Sequence, residues 1–469
     1  MAKKAKTVFV CQECGYESPK WMGQCICGAW NSMFEEKLSD SAEDDKRRRT
    51  GMRSNAKPAI LSAITAQNEH ERIDTGISEL NRVLGGGLVP GSLTLISGEP
   101  GIGKSTIIMQ AAANIAASKG RVLYVSGEES EEQIKMRADR ICKDMSENLY
   151  ILAETNMENI AVQAEHLKPQ FVIIDSIQTM YTEDLDSAPG SVSQVRACGN
   201  ELMRIGKMKN VPIFIVAHVT KSGDLAGPKI VEHLVDCVLN FSGERNQELR
   251  ILRAFKNRFG TTSEIGAFEM AQEGLIEIKD LSRRFLEDMD DENEGSVVTA
   301  VYEGTRPLLL EIQALTSKTA AGFPRRTALG IENGRLSMII AVLERRTGIS
   351  LADQDVYVNI VGGLKPEGTS TDLAVALALY STFTGINIRK DTLALGEVGL
   401  TGDLRPVRNV EKIIKEAGRM GMRKVILPGS QAVKLLREQK DLCKGDSAGS
   451  FIEISGAKNL REAIAACSE

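Results

Sequence analysis

Short runs of consecutive apolar residues alternate with amphipathic stretches through the middle of the chain. Ser92-Leu93-Thr94-Leu95-Ile96-Ser97 reads as a buried strand that ends in a glycine-rich loop, and Thr106–Lys119, rich in Ala, Ile and Met, reads as a helix. Arg121–Ser126, Phe171–Asp175 and Ile213–Ala217 read as further strands. Strands of this kind separated by helices predict a parallel sheet covered on both faces. Beyond residue 296 the pattern changes. Ser296–Leu315 reads as two strands around Glu303-Gly304-Thr305-Arg306-Pro307, Thr371–Thr384 as a helix, and Thr392–Leu404 as a hairpin. A helix over Val410–Met420 and a strand over Lys424–Leu427 complete an α+β block.

Two polar stretches interrupt these patterns. Residues 35–58 hold six acids and seven bases and no aromatic residue, too little apolar surface to order alone, which predicts a flexible linker. Its Lys46-Arg47-Arg48-Arg49 run reads first as solvated charge. Residues 287–296 carry six acids. The expected division is therefore 1–34, linker 35–58, a sheet-and-helix domain 59–286, acidic linker 287–296 and a C-terminal domain 297–469.

Composition narrows the class. Of 469 residues 42% are hydrophobic and 26% charged, as in ordinary globular chains, and the net charge of −5 excludes a broadly basic nucleic-acid binder, so any DNA surface must be local. No apolar run approaches the ~18 residues of a membrane span, and no apolar core follows Met1-Ala2-Lys3-Lys4-Ala5-Lys6, which leads us to expect a cytoplasmic chain with no membrane partner. Four of the nine cysteines, Cys11, Cys14, Cys25 and Cys27, crowd into 17 residues. In a reducing compartment that density predicts tetrahedral zinc, although Cys25-Ile26-Cys27 is one residue shorter than a C-x-x-C knuckle. Lys20, Trp21 and Trp30 beside them are candidates for stacking on nucleic acid or for the small core of a finger.

The chemistry is concentrated in Gly98-Glu99-Pro100-Gly101-Ile102-Gly103-Lys104-Ser105, a complete G-x-x-x-x-G-K-S/T motif between a predicted strand and a predicted helix that opens at Thr106. Its backbone N–H groups can cradle phosphates, Lys104 supplies charge to the β- and γ-phosphates of ATP, and Ser105 offers a hydroxyl to Mg²⁺. Asp175, closing the apolar strand from Phe171, is the candidate for the opposing Mg²⁺ carboxylate. Glu128 is the candidate to polarise the attacking water, with Glu129 as runner-up. His218, at the end of another strand, is a weaker candidate for sensing the γ-phosphate.

Together these motifs resemble the bacterial RadA (Sms) DNA-repair family. His70–Ser92 resembles the segment before the P-loop in RecA-like and KaiC-like ATPases. The N-terminal finger, with Ser18-Pro19-Lys20-Trp21 and Gly28-Ala29-Trp30-Asn31-Ser32, is similar to the RadA finger. Lys256-Asn257-Arg258-Phe259-Gly260 is similar to the family's signature, and residues 297–469 resemble the Lon proteolytic domain. The resemblance implies an α/β RecA-like P-loop ATPase core with a four-cysteine zinc finger and an α+β Lon-protease-like domain. It implies a DNA-dependent ATPase that forms a ring, expected to be hexameric, on single-stranded and branched DNA, working with the RecA recombinase in branch migration and break repair. Lys256 and Arg258 become candidates for cations offered across a subunit interface or for DNA contact. The loop 183–196 and the segment 220–229 become channel loops, with Arg196, Lys221 and Lys229 as phosphate contacts. Ser370 falls near Lon's nucleophile, but Glu411 stands where its lysine is expected and Lys412 is rotated ~100° away on the helix, so no peptidase activity is expected. A KaiC-like regulatory ATPase acting on protein partners without DNA is the alternative.

Overall fold

The computed structural model describes residues 7–11, 16–37, 72–142, 145–217, 228–243, 248–287, 289, 293–319, 322–362, 364–366, 368–442 and 452–468, in two compact units, Met1–Ile278 and Lys279–Glu469. At the N-terminus β1 (Thr7–Cys11) pairs antiparallel with β2 (Glu17–Ser18) and β3 (Met33–Lys37). Cys11, Cys25 and Met33 form its tiny core, with Phe9 and Met22 packed against them. A module this small cannot stabilise itself on apolar burial alone and needs a covalent or metal staple.

The remainder of the first unit is built on a nine-stranded sheet ordered β12-β11-β10-β9-β4-β8-β7-β5-β6. The strands β4 (Leu93–Gly98), β5 (Val122–Ser126), β6 (Leu149–Ala153), β7 (Phe171–Asp175), β8 (Ile213–Val216) and β9 (Cys237–Ser242) run parallel. Side chains alternate across a strand, and the two cores follow that alternation. Phe171, Ile173, Phe214 and Val216 enter the core on one face, while Val172, Ile174, Ile213 and Ile215 enter the core on the other. This is why the β7 and β8 runs are apolar without a break. The antiparallel strands β10 (Leu249–Asn257), β11 (Ile265–Ala271) and β12 (Gly274–Glu277) extend the sheet beyond β9. The predicted elements fall within two residues of the observed ones, the helix being Lys104–Ser118. The edge strand β6, Leu149-Tyr150-Ile151-Leu152-Ala153, is also an apolar run, only half-buried at the sheet edge, and is not among the predicted elements.

The second unit has a mixed seven-stranded sheet ordered β15 (Arg326–Leu329), β16 (Gln354–Ile360), β14 (Arg306–Lys318), β13 (Ser296–Glu303), β17 (Thr392–Ala394), β20 (Lys424–Pro428) and β21 (Glu453–Ala457), with β13 and β14 forming the expected hairpin. The chain divides at Ile278/Lys279, ahead of the acidic run 287–296. Helix Leu281–Leu286 packs with the second unit: Phe285 is buried, and Ser282 Oγ accepts from Leu309 N at 3.1 Å. The hairpin expected over 392–404 is only partly that. The strand β17 lies parallel between β13 and β20, and only β18 (Glu397–Val398) and β19 (Leu404–Arg405) pair antiparallel. Consecutive apolar residues fit either setting, so the pattern did not distinguish them.

Phe171 and Phe214 meet edge to face, centroids 5.2 Å apart, in the core beneath the sheet. Phe214→Ala should cost about 3–5 kcal/mol in denaturant unfolding of this unit; a cost below about 1 kcal/mol would contradict the packing described.

Candidate functional site

Parallel strands deliver their C-terminal ends to one edge of a sheet, where α/β folds bind ligands. Here Gly98 closes β4, Ser126 closes β5 and Asp175 closes β7, with Ser126 and Asp175 paired side by side. Gly98 cannot be replaced without shifting the loop, because a Cβ there would lie 2.5 Å from Phe241 O. Ile102 is buried in the core, while Glu99 and Pro100 stay exposed. The helix that opens at Lys104 points its N–H groups into the loop.

Lys104 is almost fully buried, and its ammonium donates to Gly98 O at 2.8 Å and Glu99 O at 3.0 Å. Burial lowers its pKa to about 8 against the opposing pull of Asp175 and Glu128. A cleft of about 460 Å³ is lined by Gly101, Gly103, Lys104, Ser105, Thr106, Ser126, Glu128, Glu129, Arg137, Arg140, Asp175 and Met270. Lys104, Ser105, Glu128 and Asp175 thus meet as expected from the sequence.

The structure separates the two glutamates. Glu128 Oε1 accepts from Ser176 Oγ at 2.6 Å, next to Asp175, while Glu129 is ion-paired to Arg137 and its N–H donates to Ser126 Oγ at 3.0 Å. Tyr124, buried in β5, donates to Asp175 Oδ2 at 2.5 Å. Burial first, then the Asp175 charge, hold the Tyr124 hydroxyl well above its usual pKa. Tyr124, Arg137 and Arg140 escape sequence reasoning. Tyr124 reads as core, and the two arginines read as the polar face of a helix after β5.

Asp175 has one oxygen engaged by Tyr124, and Ser105 lines the same cleft. An oxygen pair opposite a glycine cradle fits ATP with Mg²⁺, a hard cation that prefers oxygen ligands.

Lys256 and Arg258 are not in this cleft. Asn257 ends β10 opposite Cys237, which pairs with Thr94, whereas Gly98 pairs with Phe241. The signature therefore sits at the far edge of the sheet from the P-loop, four residues along β9, or about 13 Å. Lys256 Nζ donates to Glu232 O at 2.8 Å, and burial, then Arg258, lower its pKa. Arg258 donates to Asp236 Oδ1 at 3.1 Å, and Lys207 holds the other oxygen of that buried carboxylate at 3.0 Å. Asn257 Nδ2 donates to Val83 O, and Arg72 donates to Phe259 O at 2.8 Å, so the pentapeptide is pinned to the last turn of helix Ser78–Leu84 and to Arg72 before it. Arg196 lies in the second turn of helix Val192–Lys209 and is exposed; it is not in the preceding loop, because Ser191 caps the helix and accepts from Gln194 N. Lys221 and His218 lie outside the described residues. Lys229 falls in helix Pro228–Leu234, its side chain also outside the description.

At the N-terminus the sulfurs of Cys11, Cys25 and Cys27 lie within 4.8 Å of one another, with Cys11 Sγ 3.9 Å from Cys27 Sγ. Sulfurs ~2.3 Å from a tetrahedral zinc are about 3.8 Å apart, so the short knuckle still delivers both its thiols. Its turn is closed by Gly28 N donating to Cys25 O at 2.9 Å. The set fits Zn²⁺. Ser32 Oγ lies 3.1 Å from Cys11 Sγ, in the position of an outer partner. Cys14 lies outside the described residues.

In the second unit Ser370 Oγ donates to Ala300 O at 3.5 Å. Glu411 pairs with Lys434, and Lys412 donates to Tyr302 OH at 2.8 Å. Buried Asp372 holds Arg335 in an ion pair beside a cleft of about 670 Å³.

Family patterns match three parts of the chain: a rubredoxin metal binding domain over residues 9–35, an AAA domain over 61–224, and subunit ChlI of Mg-chelatase over 322–431. The chain is similar along almost its whole length to DNA repair protein RadA of Bacillus subtilis (47% identical, covering 98% of each chain) and of Halalkalibacterium halodurans (48% identical, 99% of each). A KaiC-like protein of Pyrococcus horikoshii is a partial structural likeness, with a TM-score of 0.37 at 17% identity, over 44% of this chain and 98% of that one.

Burial pushes the thiols of Cys198, Cys237 and Cys467 up to about 12. Because the thiolate is the reactive form, alkylation at pH 8 after zinc removal should label Cys11, Cys25 and Cys27 first. Zinc should protect those three, and the buried thiols should react only on unfolding. Equal labelling of Cys27 with and without zinc, read by mass spectrometry, would contradict the metal assignment.

Proposed function

The chain belongs to the bacterial RadA family of DNA-repair proteins, a repair ATPase that uses ATP with Mg²⁺ and carries zinc, and from that premise we propose that it is a ring-shaped motor processing recombination intermediates. In this reading the cleft below Gly98–Ser105 binds ATP. Lys104 leaves its carbonyl partners for the β- and γ-phosphates. Glu128, held by Ser176, orients and polarises the water. Ser105 and Asp175 would hold Mg²⁺, which would neutralise charge developing on the phosphates.

The observation that carries the ring is the position of Lys256 and Arg258. They lie at the edge of the sheet away from the P-loop of their own chain. A cation there acts on phosphate only when offered to the neighbour's site, as trans-acting arginines do in other phosphoryl-transfer enzymes. Arg258 is held ready by buried Asp236, and release from it accompanies closure of the interface. Arg196 and the segment 220–229 contact single-stranded and branched DNA in the channel. The motor drives branch migration alongside the RecA recombinase in the cytoplasm. The C-terminal unit serves as a scaffold without peptidase activity: Ser370 meets a carbonyl, Glu411 occupies the general-base position, and Lys412 is engaged by Tyr302.

ATP turnover with and without single-stranded DNA tests the reading. Wild type should be stimulated by DNA, and Lys104→Ala should lose hydrolysis with its fold intact; DNA-independent turnover would favour the KaiC-like alternative. Ser370→Ala should leave ATPase and strand processing within about twofold of wild type, since a serine without its base is a weak nucleophile. Peptide cleavage by wild type that this variant abolishes would contradict the scaffold role.

A further inference from the structure

The acids of the nucleotide cleft are joined to a residue that no motif singles out. Arg137 lies on helix Glu131–Ile141, directly after the loop that carries Glu128 and Glu129. Its Nη1 pairs with Glu129, and its Nη2 donates to Tyr124 OH at 3.1 Å. Tyr124 in turn donates to Asp175 Oδ2 at 2.5 Å. The arginine side chain is 16% exposed, Tyr124 is fully buried, and Asp175 is 8% exposed, so water competes weakly for these bonds.

We propose that Arg137, acting through Tyr124, is a positioning residue that sets the orientation of the Asp175 carboxylate in the nucleotide site. The order of donors matters. The guanidinium has no acceptor atom and must donate, so it takes a lone pair of the phenol oxygen, and the phenol proton is left to point at Asp175. Donation to the phenol oxygen polarises its O–H and strengthens the second bond, as in other hydrogen-bond chains of low dielectric. With Oδ2 so occupied, the other oxygen of Asp175 is turned to the cleft. Rotation of the carboxylate would break a bond in an environment that supplies no replacement. The Glu129 pair anchors the far end of the chain, which gives that glutamate a supporting part distinct from Glu128.

The inference rests on the reading of Asp175 as the Mg²⁺ carboxylate, and the test separates the two. Equilibrium binding of a fluorescent ATP analogue is measured in EDTA and across a Mg²⁺ titration for wild type, Tyr124→Phe, Arg137→Gln, Arg137→Lys and Asp175→Asn. Tyr124→Phe keeps the ring in the core and leaves the Arg137–Glu129 pair in place; Arg137→Gln alters a residue at the margin of the core, so one variant remains informative if the other unfolds. The expected result is EDTA affinity within about twofold of wild type for Tyr124→Phe, while the variants at Arg137, which lines the cleft, are read by their Mg²⁺ half-effect relative to their own EDTA affinity. The Mg²⁺ concentration at half-effect should rise about fivefold for Tyr124→Phe and for Arg137→Gln, the size of one lost hydrogen bond. Arg137→Lys should recover part of the shift, since an ammonium can still donate to Tyr124. A purely structural role would move EDTA and Mg²⁺ binding together. If Asp175→Asn loses its Mg²⁺ response while Tyr124→Phe and Arg137→Gln keep the wild-type half-effect, the relay is overturned and the reading of Asp175 survives. If Asp175→Asn itself keeps that response, the reading of Asp175 falls first and the relay with it.

Discussion

The parallel register of β4, β5 and β7 is the constraint from which the ATPase unit follows. It brings Gly98, Ser126 and Asp175 to one edge, so that the glycine loop, Glu128, Glu129 and the Asp175 carboxylate share one cleft. The same register dictates what cannot be there. β10 runs antiparallel to β9 and finishes at the opposite edge, carrying Lys256 and Arg258 away from their own P-loop. An isolated chain thus holds the two halves of the proposed chemistry at opposite ends of one sheet. Buried Asp236 fixes the signature at that far edge: it accepts from Leu93 N, where β4 begins, and from Arg258.

The parts of this arrangement that rest on local pattern were legible in the sequence. Apolar runs marked β4, β5, β7 and β8, and the glycine–lysine–serine spacing marked the cradle, because each depends on residues close in the chain. The choice between Glu128 and Glu129 was not legible. It depends on Ser176 and Arg137, which reach the two glutamates from another strand end and from the following helix. Tyr124 reads as an ordinary core residue until its hydroxyl is seen against Asp175. Helix Leu281–Leu286 looked like the tail of the ATPase domain because the acidic run comes after it, yet its apolar side packs in the C-terminal unit.

The finger shows the reverse case, in which a spacing rule was too strict. C-x-C is one residue short of the usual knuckle, but a turn closed at Gly28 aims both sulfurs at Cys11. Three thiols within 4.8 Å of one another, without disulfides among them, are the geometry of metal ligands. In the C-terminal unit the residue identities decide more than the fold does. Ser370 bonded to the Ala300 carbonyl and Glu411 tied to Lys434 are the contacts that support the proposed scaffold role.

The central claim is that each nucleotide site is completed by a neighbouring chain, and complementation between two inactive variants tests it most directly. Lys104→Ala chains keep the signature and lose the cradle; a Lys256→Ala/Arg258→Ala chain keeps the cradle and loses the signature. When the two are dissociated, mixed in equal amounts and reassembled, random order in a ring of head-to-tail interfaces leaves about a quarter of the sites whole. The predicted result is DNA-stimulated ATP hydrolysis in the mixture at about that fraction of wild type, with each variant alone near background. Hydrolysis by the mixture no greater than the sum of the separate variants would contradict the account.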